Sequence, residues 1–470
     1  MVIYMSDKYI DYFKEKLEKS FDTKIREVNS ALGTIYIIFI DNLSNSKFIS
    51  EYIVSPLVQN KIYTNVEYVK TEILYANIVG DVATKGEALN HILSGDVVIL
   101  FDFWNSMIFC EAKNYPKRAI SDAKREKAVK GPHEAFNEMI VDSIGLIRKR
   151  VKNENLVFES LIVGKESNTT VAIAYIKGVA KDSFVNSIKN KIASMENDFI
   201  LGINYIEEIL KEKNTLFDSI GYTERPDTAA SKLFEGRILI LVEGTPEVIV
   251  VPSFFTEALM ASEDYYSNKY FANIVRIQRW IAFFLAVFLP GIYVAITTYH
   301  FSLIPPLFVF RLSISRAGVP FPTVIEVILM IFFFQLLREA GIRLPEPTGQ
   351  TMSIVGALIL GDAAVGAGLA SRATIVIVSV SSIATFLVPT LYRAVSVWNI
   401  VIIIFSSVLG LPGFYLGFFI FVAHLSSIQS CGYPYLYPIG TTKSLKYRDL
   451  IQREELKDIS DNLFNEDDIK

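Results

Sequence analysis

The chain has 470 residues, of which 51% are hydrophobic, with a mean hydropathy of +0.34. That length exceeds one ordinary core and that hydropathy is high for a soluble protein, so a single small soluble domain is excluded. The net charge of −4 gives no argument for a nucleic-acid partner, and two cysteines far apart in sequence, Cys110 and Cys431, make no disulfide framework.

The start, MVIYMSDKYIDYFKEKLEK, mixes acids and bases without an apolar core, so no signal peptide is expected there. Tyr9, Ile10, Phe13 and Leu17 fall at helical spacing and predict an amphipathic helix. TIYIIFI after Gly33 reads as a buried strand, and DVVILFDF followed by MIFCEA reads as a hairpin. These elements predict an α/β subdomain over residues 1–116. Residues 117–130, KRAISDAKREKAVK, are expected to form a basic linker or an exposed helix face. No stacking aromatics interleave it, so contact with an anionic membrane leaflet suits it better than nucleic acid.

Gly131-Pro132 predicts a helix start, with Phe136, Met139, Ile140, Ile144 and Ile147 on the buried face and Arg148, Lys149 and Arg150 at the end. FESLIVG and TVAIAYI read as strands, and Asp182–Met195 and Asn204–Lys211 as helices. Asp227 reads as the N-cap of a helix that stops at Gly236, and RILILV and EVIVVP as a hairpin. A second α/β subdomain is therefore expected over residues 131–265. The histidines His91, His133, His300 and His424 lack metal-ligand spacing, and no phosphate-binding or nucleophile-elbow motif is present. No catalytic, metal or cofactor residue is assigned, and no enzyme is expected.

Residues 270–427 are expected to form an α-helical transmembrane domain. Ile281–Phe310 carries no charge, and Arg276, Arg279 and Trp280 before it place the α/β region in the cytoplasm. Pro290 is expected to bend this span. Thr323–Arg343 is apolar but holds Glu326, Gln335, Arg338 and Glu339. It is expected to lie at the interface or to re-enter, and Glu326 needs a partner. Three further spans are expected at Gln350–Arg372, Ala373–Tyr392 and Val395–His424. Four spans are preferred over five because the basic residues of the polar tail, residues 428–470, favour a cytoplasmic end.

Within Gln350–Arg372, Ser353, Ala357, Gly361, Ala364, Gly368 and Ser371 recur at helical spacing and predict one small-residue face for close helix packing. Asp362 adjoins that face. Either it is satisfied inside a packed helix pair, or the helix lines a water-filled ion path with Asp362 near it.

Three blocks occur in order: AVKGPHEAFNEMIVDSIGLIRKRV, GYTERPDTAASKLFEGRILILVEGTPEVIVVPSFF and REAGIRLPEPTGQTMSIVGALILGDAAVGAGLAS. Over Gly131 to Tyr437 the chain closely resembles the A subunit of the GerA-type spore germination receptors of endospore-forming bacteria. The resemblance implies a homo-oligomeric subunit in the inner membrane of the spore. Its implied partners are a transporter-like B subunit, a lipoprotein C subunit and membrane lipid, with no nucleic acid, and its implied action is ion release when a nutrient germinant binds. The alternative is a stand-alone secondary transporter of small molecules or ions, which is expected to show two related halves with broken helices. No such repeat is read in these spans. A membrane-anchored enzyme is a third reading, without a catalytic constellation behind it.

Overall fold

The computed structural model describes residues 6–17, 19–30, 32–60, 63–104, 106–114, 126, 130–211, 215–343, 356, 359–439 and 449–459. Its contacts divide the chain into a sheet unit, residues up to 212 with 220–253, and a helical unit, 213–219 with 254–459.

The sheet unit holds two five-stranded antiparallel sheets. The first contains β1 (Thr23–Asn29), β2 (Thr34–Ile40), β3 (Val79–Val82), β4 (Val97–Phe101) and β5 (Ser106–Cys110) in the order β1-β2-β4-β5-β3. The second contains β6 (Leu156–Val163), β7 (Thr169–Ile176), β8 (Gly221–Thr223), β9 (Ile238–Val242) and β10 (Val248–Val251) in the order β6-β7-β9-β10-β8. The two orders are the same plan used twice: the third strand in sequence pairs beyond the fifth.

The helices repeat as well. α1 (Ser6–Leu17) precedes the first sheet, helical runs over 46–59 and 66–73 link its second and third strands, and α2 (Lys85–Leu93) links its third and fourth. In the second sheet α3 (Ile140–Arg150), then α4 (Asp182–Ala193) and α5 (Ile203–Leu210), then α6 (Pro226–Phe234), hold the same places. In the first sheet Ile38, Ile40, Val98 and Leu100 pack under α1 and α2. Ile35, Ile37, Val97 and Ile99 pack under the 46–59 and 66–73 runs. Both faces are covered, which is why TIYIIFI and VVILF are apolar at every step instead of alternating. The two subdomains are joined by the buried Asp22–Arg148 pair, at 2.6 and 2.8 Å, and by the Phe21 N–H donating to the Phe158 carbonyl at 3.1 Å.

Three local expectations are corrected. The helix expected from Gly131 starts only at Ile140, and Met139 is exposed. Phe136 is buried, but from a non-helical segment whose N–H donates to the Glu224 carbonyl. Asn137 Oδ1 accepts the Met139 N–H, a local bond that competes with a helix. Arg225, not Asp227, stands at the N-cap of α6. Pro226 fixes the first turn and Asp227 binds Arg225 through two bonds of 3.1 and 2.8 Å. The sheet unit ends at Ser253, not at residue 265, because Phe255 packs edge-on to Phe283, centroids 5.3 Å apart, inside the helical unit.

The helical unit is built on α7 (Lys269–Tyr299), followed by α8 (Pro306–Arg316), α9 (Thr323–Arg343), α10 (Arg372–Phe386), α11 (Tyr392–Leu409) and α12 (Leu411–Ser427). Residues 359–366 are helical as well. Val395–His424 is not one kinked span. It breaks at Gly410, and Trp398 of α11 lies 5.3 Å from His424 of α12, so the two helices form an antiparallel hairpin. Gly410 has φ +66°, and a Cβ there would meet His300 Cε1 at 2.8 Å, so a side chain is excluded twice over.

Contacts fix the helix directions. Thr374 meets Tyr293 and Ser381 meets Ala286, so α10 runs antiparallel to α7. Asn399 meets Ala286 and the Tyr299 hydroxyl meets the Ser407 carbonyl, so α11 runs parallel to α7. Glu326 meets Thr374 and Arg338 meets Thr385, so α9 runs parallel to α10. Thr323–Arg343, expected as an interfacial or re-entrant segment, is thus one continuous helix beside α10. The connection from α9 to α10 has to return the chain to its starting end.

Candidate functional site

A polar seam runs through the helical unit, and it begins at a proline. Pro290 lies inside α7 and has no N–H, which leaves the Ala286 carbonyl without its helical partner. Ser381 Oγ of α10 donates to that carbonyl at 3.0 Å and Asn399 Nδ2 of α11 at 2.6 Å. Ser381 and Asn399 are both buried. An apolar helix can carry such a break only where neighbours satisfy the freed group. The proline therefore fixes which polar residues α10 and α11 must present.

Glu326 is the acid that sequence reasoning could not dismiss, and the structure buries it completely. Its Oε2 accepts from the Ser371 N–H and from Thr374 Oγ1, both at 2.9 Å. Arg316 Nη2 stands 3.4 Å from Oε1, close enough to pair in charge but outside hydrogen-bond geometry. Tyr293 OH extends the network to Thr374 at 3.2 Å. Ser371 caps α10 by accepting the Thr374 N–H, so the carboxylate sits at the helix start, where the dipole favours negative charge.

The other candidates separate. Arg338 Nη1 donates to Thr385 Oγ1 at 2.8 Å, and its guanidinium lies 3.5 Å from the centre of the Tyr392 ring. Glu339 is exposed and bound to Arg343 at 2.5 Å, an ordinary i,i+4 surface pair. Asp362 is exposed on the helical stretch 359–366. Ser353 and Ala357 lie outside the described residues. The small-residue face is not continuous: the helix stops at Gly366, Gly368 takes φ +70° in a turn, and Ser371 belongs to the next helix. A Cβ on Gly368 would meet the Gly318 carbonyl at 3.0 Å, whereas one on Gly361 would make only ordinary contact with Ile375. Ala364 is buried among Val327, Met330 and Val378.

A second cluster, absent from the sequence reading, lies at the start of α7. Asp264 binds Arg276 Nε at 2.9 Å and Arg279 at 2.8 and 3.0 Å. Asp449 from the tail binds Arg276 Nη1 and the Tyr265 hydroxyl, each at 2.5 Å. Arg453 donates to the Asp264 carbonyl at 2.8 Å and, through its N–H, to Asn273 Oδ1 at 2.7 Å. Burial works against the Asp264 charge, but the Arg279 bond leads the opposing interactions and holds its carboxyl below the usual range. The only advance signal was Arg276 and Arg279 ahead of an uncharged span. Their partners are scattered over nearly two hundred positions and no spacing rule connects them.

Among the described residues no group of three or more His, Cys, Asp or Glu could hold a metal ion. Burial, with the Asp96 charge adding to it, pushes the Cys110 thiol up to about 12, so it carries no thiolate at neutral pH. His91 Nδ1 lies 2.8 Å from Asp96 and its ring stacks on Phe109, a packed structural pair.

Among the described residues two helical stretches, Lys269–Tyr299 and Pro389–Leu409, are long and apolar enough to cross a membrane. Residues 11–462 match the family model described as Bacillus/Clostridium GerA spore germination protein. Spore germination protein KA of Bacillus subtilis (strain 168) is 33% identical over 94% of this chain and 82% of its own length. Spore germination protein GerLA of Bacillus cereus is 32% identical over 91% of this chain and 88% of its own. A protein of Bacillus subtilis (strain 168) named as the uncharacterized membrane protein YfkQ is 34% identical over 90% of this chain and 82% of its own. The crystal structure of the N-terminal domain of the A subunit of the Bacillus megaterium spore germinant receptor GerK3 is 26% identical. It covers 52% of this chain and 94% of its own, with a TM-score of 0.41. With a match that runs through both the sheet unit and the helical unit, the chain belongs to the GerA family of spore germination proteins.

Proposed function

We propose that the protein is the A subunit of a nutrient germinant receptor in the spore inner membrane, with no enzymatic step of its own. The observation that carries this reading is the family match over residues 11–462. The subunit works with a transporter-like B subunit and a lipoprotein C subunit, and couples germinant binding to ion release as an oligomer. The helical unit spans the bilayer in six passes, not four: α7, α9, the segment through 359–366, α10, α11 and α12. The parallel run of α9 and α10 supports the extra pair of passes. Asp449 and Arg453, bonded at the start of α7, support a tail on the same, cytoplasmic, side as the sheet unit.

Asp362 lines or adjoins the ion path. An exposed carboxylate on an apolar helix has to face water or another protein, and an acid beside a path lowers the energy of a passing cation. Deleting the gene in the native spore former should abolish germination to some members of a nutrient panel; unchanged responses to all of them would refute the receptor role. Spores carrying Asp362→Asn should hold normal receptor levels and release cations more slowly after nutrient. Normal abundance with wild-type release would remove Asp362 from the path.

A further inference from the structure

Among the described residues Arg338 has no carboxylate counter-ion. Its one hydrogen bond goes to the Thr385 hydroxyl, and its charge is otherwise met by the faces of Tyr392, at 3.5 Å, and Phe386, at 4.9 Å. Of the other arginines in the seam and the α7 cluster, Arg276, Arg279 and Arg316 each have a carboxylate, and the Arg453 side chain is held by backbone carbonyls. Glu339 beside it in sequence points elsewhere around the helix and is committed to Arg343. A guanidinium has five N–H donors in a planar fork, so a ring face and one hydroxyl leave most of them open.

The depth of Arg338 follows from register. Thr374 lies level with Tyr293 and Ser381 with Ala286, so Thr385, one turn further along α10, falls level with Ala282, next to Trp280. Tryptophan marks the interfacial belt of a membrane helix. Phe386, whose ring lies 4.9 Å from the guanidinium, is exposed, as are Leu387 beside it in sequence and Ile342 one turn further along α9. Arg393, directly after Tyr392, is 74% exposed and meets Asp218 only at 3.9 Å, which adds positive potential at the same end.

We propose that Arg338, propped by Thr385 and Tyr392, binds the phosphate of an anionic phospholipid headgroup in the leaflet at the α7-start end of the helical unit. A half-buried guanidinium bonded to a neighbouring helix, at interfacial depth and beside exposed apolar side chains, takes the phosphate on the fork and the acyl chains on those side chains. The site rests on the reading of the helical unit as membrane-embedded.

The test uses the full-length chain in nanodiscs of mixed phosphatidylglycerol and phosphatidylcholine, with retained lipid read by native mass spectrometry. Failure to enter nanodiscs would defeat the membrane reading itself. Once incorporated, the wild type should retain phosphatidylglycerol preferentially, and Arg338→Gln should reduce that preference by about tenfold or more. Arg338→Lys, which keeps the charge and loses the fork, should fall between them, and it carries the test if the glutamine variant does not fold. Equal preference in all three would overturn the site. So would displacement of the lipid by millimolar inorganic phosphate, which would mark a free-anion site, or Arg338-dependent crosslinking of two copies without lipid preference, which would mark a protein contact.

Discussion

In the sheet unit Asp22 is held by a full opposite charge, with Arg148 Nε and Nη2 each bonded to one carboxylate oxygen and both side chains almost wholly buried. In the helical unit Glu326 is held mainly by dipoles, a backbone N–H and a threonine hydroxyl, with its arginine at the edge of reach. The two arrangements reflect how each region is assembled. The first pair ties two separately cored sheets together, and a strong geometry is available because loop and helix end can both adjust. The second sits where rigid helices pass, so short hydroxyl side chains and a helix start reach the acid more readily than a long cation does.

That contrast sets the size of the expected effects. Arg148→Ala leaves Asp22 buried without its charge partner and should destabilise the sheet unit by about 3–5 kcal/mol. Urea unfolding of a fragment of residues 1–253, followed by circular dichroism, reads this directly; an unchanged midpoint would mean the pair contributes nothing.

Asp264→Asn comes next. It removes the carboxylate shared by Arg276 and Arg279 and should cost about 2–3 kcal/mol, softened because Asp449 still meets Arg276. The pH dependence has a definite sign. Asp264 has a folded pKa below its unfolded value, so its stabilisation is fully present above about pH 4 and is lost as pH falls through the folded value. Thermal unfolding of the detergent-solubilised chain between pH 3 and pH 5 should show an acid-side loss attributable to this group, reduced in the asparagine variant; identical acid profiles would exclude it.

The smallest effect belongs to Glu326→Gln. The amide oxygen can still accept from Ser371 and Thr374, and only the loose attraction to Arg316 is removed, so about 1 kcal/mol is expected in the same thermal assay. A loss as large as that of Arg148→Ala would erase the contrast and place a true buried ion pair at Glu326.

The apolar runs TIYIIFI, VVILF, ILILV and VIVV became central strands because burial on both faces demands an unbroken hydrophobic stretch. The edge strand β1, TKIREVN, was missed because an edge tolerates charge at most positions. Thr23–Asn29 therefore reads like a loop until β2 pairs with it. The uncharged stretch around Pro290 announced a membrane-type helix, and three ordered blocks announced the family.

Which polar groups meet depends on how distant segments pack. Nothing in the spacing of Ala286, Ser381 and Asn399 joins them; a missing proline N–H in one helix does, through two others. The small-residue face expected along one helix is divided by the turn at Gly368, because a backbone at positive φ ends a helix whatever periodicity its side chains continue. Asp449 finds Arg276 only because the tail returns to the start of α7. Periodicity records how a segment meets its nearest layer, since burial acts on every residue of a face. Ion pairs and orphaned carbonyls are single contacts between distant segments, so they leave no period to read.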